Sequence, residues 1–170
     1  MKIETKRLNI VPFREEFLKN YYKEFTENIV RFQYPDAFKS IEDARNLVSR
    51  FVEDMKKGEM LELVILSKDN EFLGSFEVFG LNEEVPELGL WIKEREHGKG
   101  YGHEAMVAIV DYLNSTGKYT SYLYEVDKRN IESINLIKKF NGIEEGCIEI
   151  TTESGKQLYL KQFSINSERN

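Results

Sequence analysis

Read for its alternation of apolar and polar positions, the chain opens on a strand pattern, passes through two helical ones and then runs into strands. Ile3 to Phe13 sets Leu8 and Ile10 against Asn9 and Val11, which predicts a first strand that ends at Pro12. From Glu15 to Ile29, residues Phe17, Leu18, Tyr21, Tyr22, Phe25 and Ile29 fall at helical spacing. Arg31 to Phe38 is an aromatic loop containing Pro35. Ser40 with Asp43 three residues on resembles a capping box. Ala44, Leu47, Val48, Phe51, Val52 and Met55 then carry a second helix as far as Gly58.

Leu61 to Leu66 is a short apolar run broken at Ser67-Lys68-Asp69-Asn70, a hairpin turn. Phe72 to Phe79 follows, then a turn around Asn82-Glu83-Glu84 and a strand from Glu87 to Ile92. A third helix shows one apolar face, Ala105, Met106, Ile109, Val110 and Leu113, and stops at Gly117. Tyr119 to Val126 reads as a strand and Ile131 to Phe140 as a short helix. Cys147 to Thr151 and Gln157 to Ile165 form an antiparallel pair around Glu153-Ser154-Gly155. Strands 87–92 and 119–126 flank a helix and should be parallel, whereas the strands before them, joined by short turns, should be antiparallel. The expectation is one domain, residues 1–170, of mixed α/β (α+β) class.

Between the strand at 87–92 and the third helix stands His97-Gly98-Lys99-Gly100-Tyr101-Gly102. Glycine admits positive φ and close approach of another molecule. Three glycines at alternate positions let main-chain N–H groups converge, and the helix behind them adds roughly half a positive charge. That is an anion site of the kind phosphate occupies, with a plain strand-to-helix turn as the competing reading. Spacing excludes several phosphate binders. A P-loop needs Gly-Lys-Ser/Thr after four residues, a dinucleotide fingerprint needs G-x-G-x-x-G, and a kinase needs H-R-D and D-F-G. A phosphorylated cofactor with a long tail remains.

Composition narrows the partners. The 170 residues are 41% hydrophobic, enough for a globular core, with a formal net charge of −6 and a pI near 5.2. Nucleic acid and anionic membranes are poor partners for such a chain, and a cationic substrate suits it. Cys147 is the lone cysteine, so no internal disulfide or thiolate zinc site is expected. His97 and His103 lack a carboxylate or cysteine at ligand spacing, so no metal is expected. No apolar run approaches 18 residues and the first residues lack a secretion signal, which leaves a cytoplasmic protein as the expectation.

These residues resemble the GNAT N-acetyltransferases, and within them the branch of ribosomal-protein N-terminal acetyltransferases. The family's acetyl-CoA loop, Q/R-x-x-G-x-G/A, is matched by His97 to Gly102 except at its first position. Glu87-Leu88-Gly89-Leu90-Trp91 echoes the branch's Glu-hydrophobic-Gly-Tyr-Trp, and His103-Glu104-Ala105 its Thr-Glu-Ala. Asn130-Ile131-Glu132-Ser133 fits Asn-x-x-Ser, Lys139 to Ile143 loosely fits Lys-x-Gly-Phe, and Thr5-Lys6-Arg7-Leu8 matches the opening. The resemblance spans nearly the whole chain in order.

The resemblance implies a sheet in which the parallel strands at 87–92 and 119–126 splay and acetyl-CoA lies in the gap, flanked by helices. Leu90, Trp91 and Ile92 would pair with the pantetheine arm. His97, Gly98, Lys99, Gly100, Tyr101, Gly102 and His103 would hold the diphosphate, Lys99 adding charge. Asn130 and Ser133 would contact the cofactor further on, though Asn130 also suits a helix N-cap. The implied reaction is direct attack of a primary amine, on a protein N-terminus or a small molecule, on the thioester. Such an amine is protonated at neutral pH and needs a base.

Glu87 is the base candidate, against the reading of an exposed strand-end carboxylate. Relatives often carry a tyrosine acid where this chain has Ile137, so Tyr124 (or Tyr122) and Ser133 stand in as candidates. Phe32, Tyr34 and Phe38 either wall the acceptor pocket, with Glu87 beside it, or pack the helix pair. A catalytically silent acetyl-CoA-binding module is the alternative function. Dimers are common among relatives, so a homodimer stays open.

Overall fold

The computed structural model describes residues 1–167. Among them, β1 (Ile3–Glu4), β2 (Leu8–Pro12), β3 (Met60–Ser67), β4 (Phe72–Phe79), β5 (Glu87–Ile92), β6 (Ser121–Asp127), β7 (Ile143–Thr151) and β8 (Gln157–Asn166) form one sheet. Their order is β1-β2-β3-β4-β5-β6-β8-β7, and only β5 and β6 run parallel. The helices are α1 (Leu18–Glu24), α2 (Ile41–Lys57), α3 (Tyr101–Ser115) and α4 (Ile131–Lys138). This is the mixed α/β sheet with one parallel pair expected from the sequence.

The sheet's period of two sorts side chains between two cores. Val64 and Leu66 of β3 pack with Leu18, Tyr21, Ala44 and Val48 under α1 and α2. Leu63 and Ile65, between them in sequence, pack with Met106, Ile109 and Val110 of α3 on the other face. Each fully buried side chain of this size stabilises by about 1.5–3 kcal/mol. The α2 cap forms as predicted: Ser40 accepts from Asp43 N–H at 3.1 Å, and Gly58 closes the helix at φ +74°.

Several boundaries differ from the sequence expectation. The first strand is a hairpin, because the Thr5 hydroxyl accepts from Leu8 N–H at 2.9 Å and folds Ile3 back onto Ile10. The first helix stops at Phe25, whose ψ of 68° leaves the helical region; a separate turn at Ile29–Phe32 follows. The strand expected at 119–126 is 121–127, and α4 gives way to a turn after Lys138. β7 begins at Ile143 rather than Cys147, its opening hidden by exposed residues and by a bulge between Glu144 and Gly146.

All six residues of β5 are in register with β4, and all seven of β6 with β8, so each strand is held from its outer side. Between them the register has one pair, Glu87 with Leu123, beside a 3.0 Å bond from Leu123 N–H to the Pro86 carbonyl. From that vertex the two strands diverge. Over the five residues to Ile92, β5 travels about 16 Å with its edge toward the gap unpaired by β6.

Candidate active site

The glycine loop sits at the wide end of this gap. Gly98 and Gly100 take φ of +75° and +80°, a region L side chains avoid, and Gly100 is the N-cap of α3. The N–H groups of Tyr101, Gly102 and His103 lie in the first turn of α3, where no preceding carbonyl can bond them. A Cβ on Gly102 would stand 3.3 Å from the Leu90 side chain, so its absence lets α3 press onto β5. Arg7 braces the loop from behind, donating to the Lys99 carbonyl at 2.8 Å and pairing with Glu104 at 2.6 Å.

A cavity of about 320 Å3 lies against the loop, lined by Ile92, His97, Gly98, Gly100, Tyr101, Gly102 and His103. Lys99 does not line it: its ammonium pairs with Glu96 at 2.8 Å. Lys139, named in the sequence only within the loose Lys-x-Gly-Phe match and given no site role there, is the lysine in the lining. The His97 ring sits 2.6 Å from the Ile92 carbonyl, holding loop to strand end.

A second cavity, of about 560 Å3, lies between the sheet and the α1–α2 side, with Phe32 and Tyr34 in its wall and Glu87 in its lining. Leu90, Trp91, Tyr124, Asn130, Ser133 and Gln33 line both cavities, so the two meet at the gap. Tyr124 and Ser133, proposed separately from sequence, stand together there with their oxygens 3.0 Å apart. Asn130 is an N-cap, accepting from Ser133 N–H at 3.2 Å, and also lines both cavities. Ile137, where relatives carry tyrosine, is fully buried core.

The second cavity is acidic: Glu77, Glu87, Glu125 and Asp54 line it against one cation, Arg50. Burial and the neighbouring Glu125 carboxylate push Glu87 up to about 7. Burial pushes Glu77 up to about 7 as well, despite hydrogen bonds from Ser75 and its own backbone. Glu77 owes its position to register, since it lies opposite Gly89 and its carboxyl passes 3.0 Å from where a Cβ there would be. Beside it on β3, Glu62 is fully buried, raised well above the ordinary carboxylate range by burial and by Glu77. The Ser75 hydroxyl lies 2.5 Å from Glu62 and 2.9 Å from the Leu63 carbonyl. Neither Glu62 nor Glu77 stood out in the sequence, where each reads as a polar position in a strand.

A single-stranded gap edge, a glycine loop at a helix start and an acidic chamber behind them are the parts of an acyl-CoA-type transferase site. The acetyltransferase (GNAT) domain family matches residues 7–142, and the protein belongs to that family, an N-acetyltransferase that uses acetyl-CoA. The chain is 26% identical over 168 residues to the uncharacterized N-acetyltransferase YnaD of Bacillus subtilis (strain 168), covering 96% of this chain and 95% of that one. In fold it is similar to RimL, a ribosomal L7/L12 alpha-N-protein acetyltransferase solved with coenzyme A. The TM-score is 0.85 at 16% identity, over 98% of both chains. It is also similar to the spermidine N-acetyltransferase of Vibrio cholerae solved with coenzyme A and spermine. There the TM-score is 0.82 at 16% identity, over 96% of this chain and 97% of that one. Among the described residues no group of three or more His, Cys, Asp or Glu could hold a metal ion. No helix there is long and apolar enough to cross a membrane.

Proposed function

We propose that this enzyme acetylates a small amine carrying at least one further positive charge, such as a polyamine. The observation that carries this reading is the acidic chamber meeting the cofactor gap at Leu90, Trp91, Tyr124 and Ser133. A peptide N-terminus, the substrate named for RimL, brings one ammonium; the carboxylates Glu77, Glu87 and Glu125 suit two or more.

The residues fit acetyl-CoA: open space beside Gly98, positive-φ glycines and first-turn amides for a diphosphate, and the edge Leu90–Ile92 for an extended arm. Acetyl-CoA supplies the activated acetyl thioester. Glu87, at the vertex, takes the proton from the entering ammonium, for which a carboxyl near 7 is matched at neutral pH. The neutral amine then displaces the thiolate, forming the C–N bond as the C–S bond breaks. A main-chain N–H of Leu90–Ile92 stabilises the carbonyl oxygen. Tyr124, its hydroxyl held by Ser133, gives a proton to the thiolate and is restored by the proton that the acetylated nitrogen sheds as the amide forms. Glu77 and Glu125 hold the acceptor's other charge.

The test is thiol release from acetyl-CoA with purified protein and a panel of spermidine, a monoamine of equal length and a serine-initiated peptide. Turnover favouring spermidine supports the reading. Turnover of the peptide alone refutes the acceptor class, and coenzyme A binding without turnover of any amine favours the silent module.

A further inference from the structure

The wall of the acceptor chamber is fastened by a residue that lines neither cavity. Phe32, Gln33, Tyr34 and Pro35 belong to the segment between Val30 and Asp36, which has little regular structure of its own. Lys156, in the turn between β7 and β8, reaches this segment from more than a hundred residues away. Its ammonium donates to the Val30 carbonyl at 2.8 Å and the Gln33 carbonyl at 2.9 Å, and pairs with Asp36 at 2.9 Å. An ammonium has three protons, and these three acceptors use them all.

Asp36 completes the fastening. It accepts from the Thr152 hydroxyl at 3.2 Å and from Ser154 N–H at 3.2 Å, so both of its oxygens face the same turn. The turn is built to present these groups. Thr152 is buried, Lys156 N–H donates to its hydroxyl at 3.2 Å, and Gly155 donates to its carbonyl at 2.9 Å. Although burial pushes the Asp36 carboxyl up, the hydrogen bonds from Lys156, Thr152 and Ser154 outweigh it and hold it at about 2. On the other side of the segment the Phe32 ring stacks against Arg129, 5.0 Å from its guanidinium, and Asp127 clamps that arginine at 2.8 Å.

We infer that Lys156 is a positioning residue for the acceptor: with Asp36 it straps the Val30–Asp36 segment to the β7–β8 turn and so fixes the Phe32–Pro35 wall. This rests on the proposed acceptor chamber, and its test has an arm that does not. Lys156→Met keeps the aliphatic stem and removes every donor. Amide hydrogen exchange over residues 29–36 should rise by at least about tenfold in this variant, the loss of one charge-assisted bond's worth of order, with the α3 amides unchanged. Lys156→Arg should recover most of that protection. With spermidine as acceptor, Lys156→Met should raise the acceptor KM about tenfold while kcat and the acetyl-CoA KM stay within about twofold. Unchanged exchange at 29–36 overturns the strap whatever the acceptor is. Increased exchange with an unaltered spermidine KM keeps the strap and overturns its positioning role. If spermidine is not turned over at all, the exchange arm decides the strap and the failure belongs to the proposed acceptor.

Discussion

Replacing Glu77 by glutamine should make the protein more stable at pH 8 while weakening its hold on a polycationic acceptor. Glu77 is almost fully buried and its carboxyl is raised from 4.5 to about 7; Glu62 on β3, Tyr21 on α1 and Tyr124 on β6 are titratable groups that interact with it, and Glu87 shares its cavity. Because the folded value lies above the unfolded one, the native protein retains a proton between pH 4.5 and 7 that the unfolded chain has already released. Stability therefore falls as pH rises through that window and is level above it. At about 1.4 kcal/mol per pH unit, the ionised side chain costs the fold roughly 3 kcal/mol at pH 8. Glu77→Gln keeps the shape and removes this cost, so the variant's melting temperature should exceed that of the parent at pH 8 by roughly 6–12 °C, with the gap nearly closed at pH 4.5. Saturating spermidine should recover part of the deficit in the parent protein and less in the variant. A parent protein no less stable at pH 8 than at pH 5, relative to Glu77→Gln, would refute the reasoning.

Glu87→Gln should lower kcat/KM for the acceptor by about 10²–10⁴ without changing coenzyme A affinity by calorimetry. In the parent, kcat/KM should climb with pH through about 7 as Glu87 ionises; in the variant the limb should shrink to the part that ionisation of Glu77 contributes. Gly100→Glu forces a side chain into a φ of +80° and a carboxylate against the diphosphate site, so calorimetry should show coenzyme A binding lost. The strain, about 1–2 kcal/mol, should still leave a cooperative melt. Ser40→Ala removes the α2 cap and should cost about 1 kcal/mol, read as a drop of roughly 2–4 °C in Tm with kcat unaffected.

What the sequence discloses here is what lies close together along the chain. The α2 cap, the Gly58 stop, the parallel pair across α3 and the glycine loop each rest on residues a few positions apart, and each was readable. The first strand misled because its alternation continues straight through a turn made by one threonine hydroxyl. Glu62 and Glu77 were invisible because their meeting depends on the register of β3, β4 and β5, which no local pattern encodes. Lys99 stands at a phosphate-ligand position by sequence, and in the structure its ammonium pairs with Glu96, three residues back. The Lys156–Asp36 contact spans two ends of the fold, and neither residue carries a mark that points to the other.

The bond from Arg7 to the Lys99 carbonyl, and the stacking of the same guanidinium 4.6 Å from the Tyr101 ring, give the glycine hexapeptide an outside scaffold. Thr5 and Arg7 both reach Glu104 from the opening turn of the chain. Transplanting His97–Gly102 into another strand–helix junction would thus carry over the amides but not the splint that aims them.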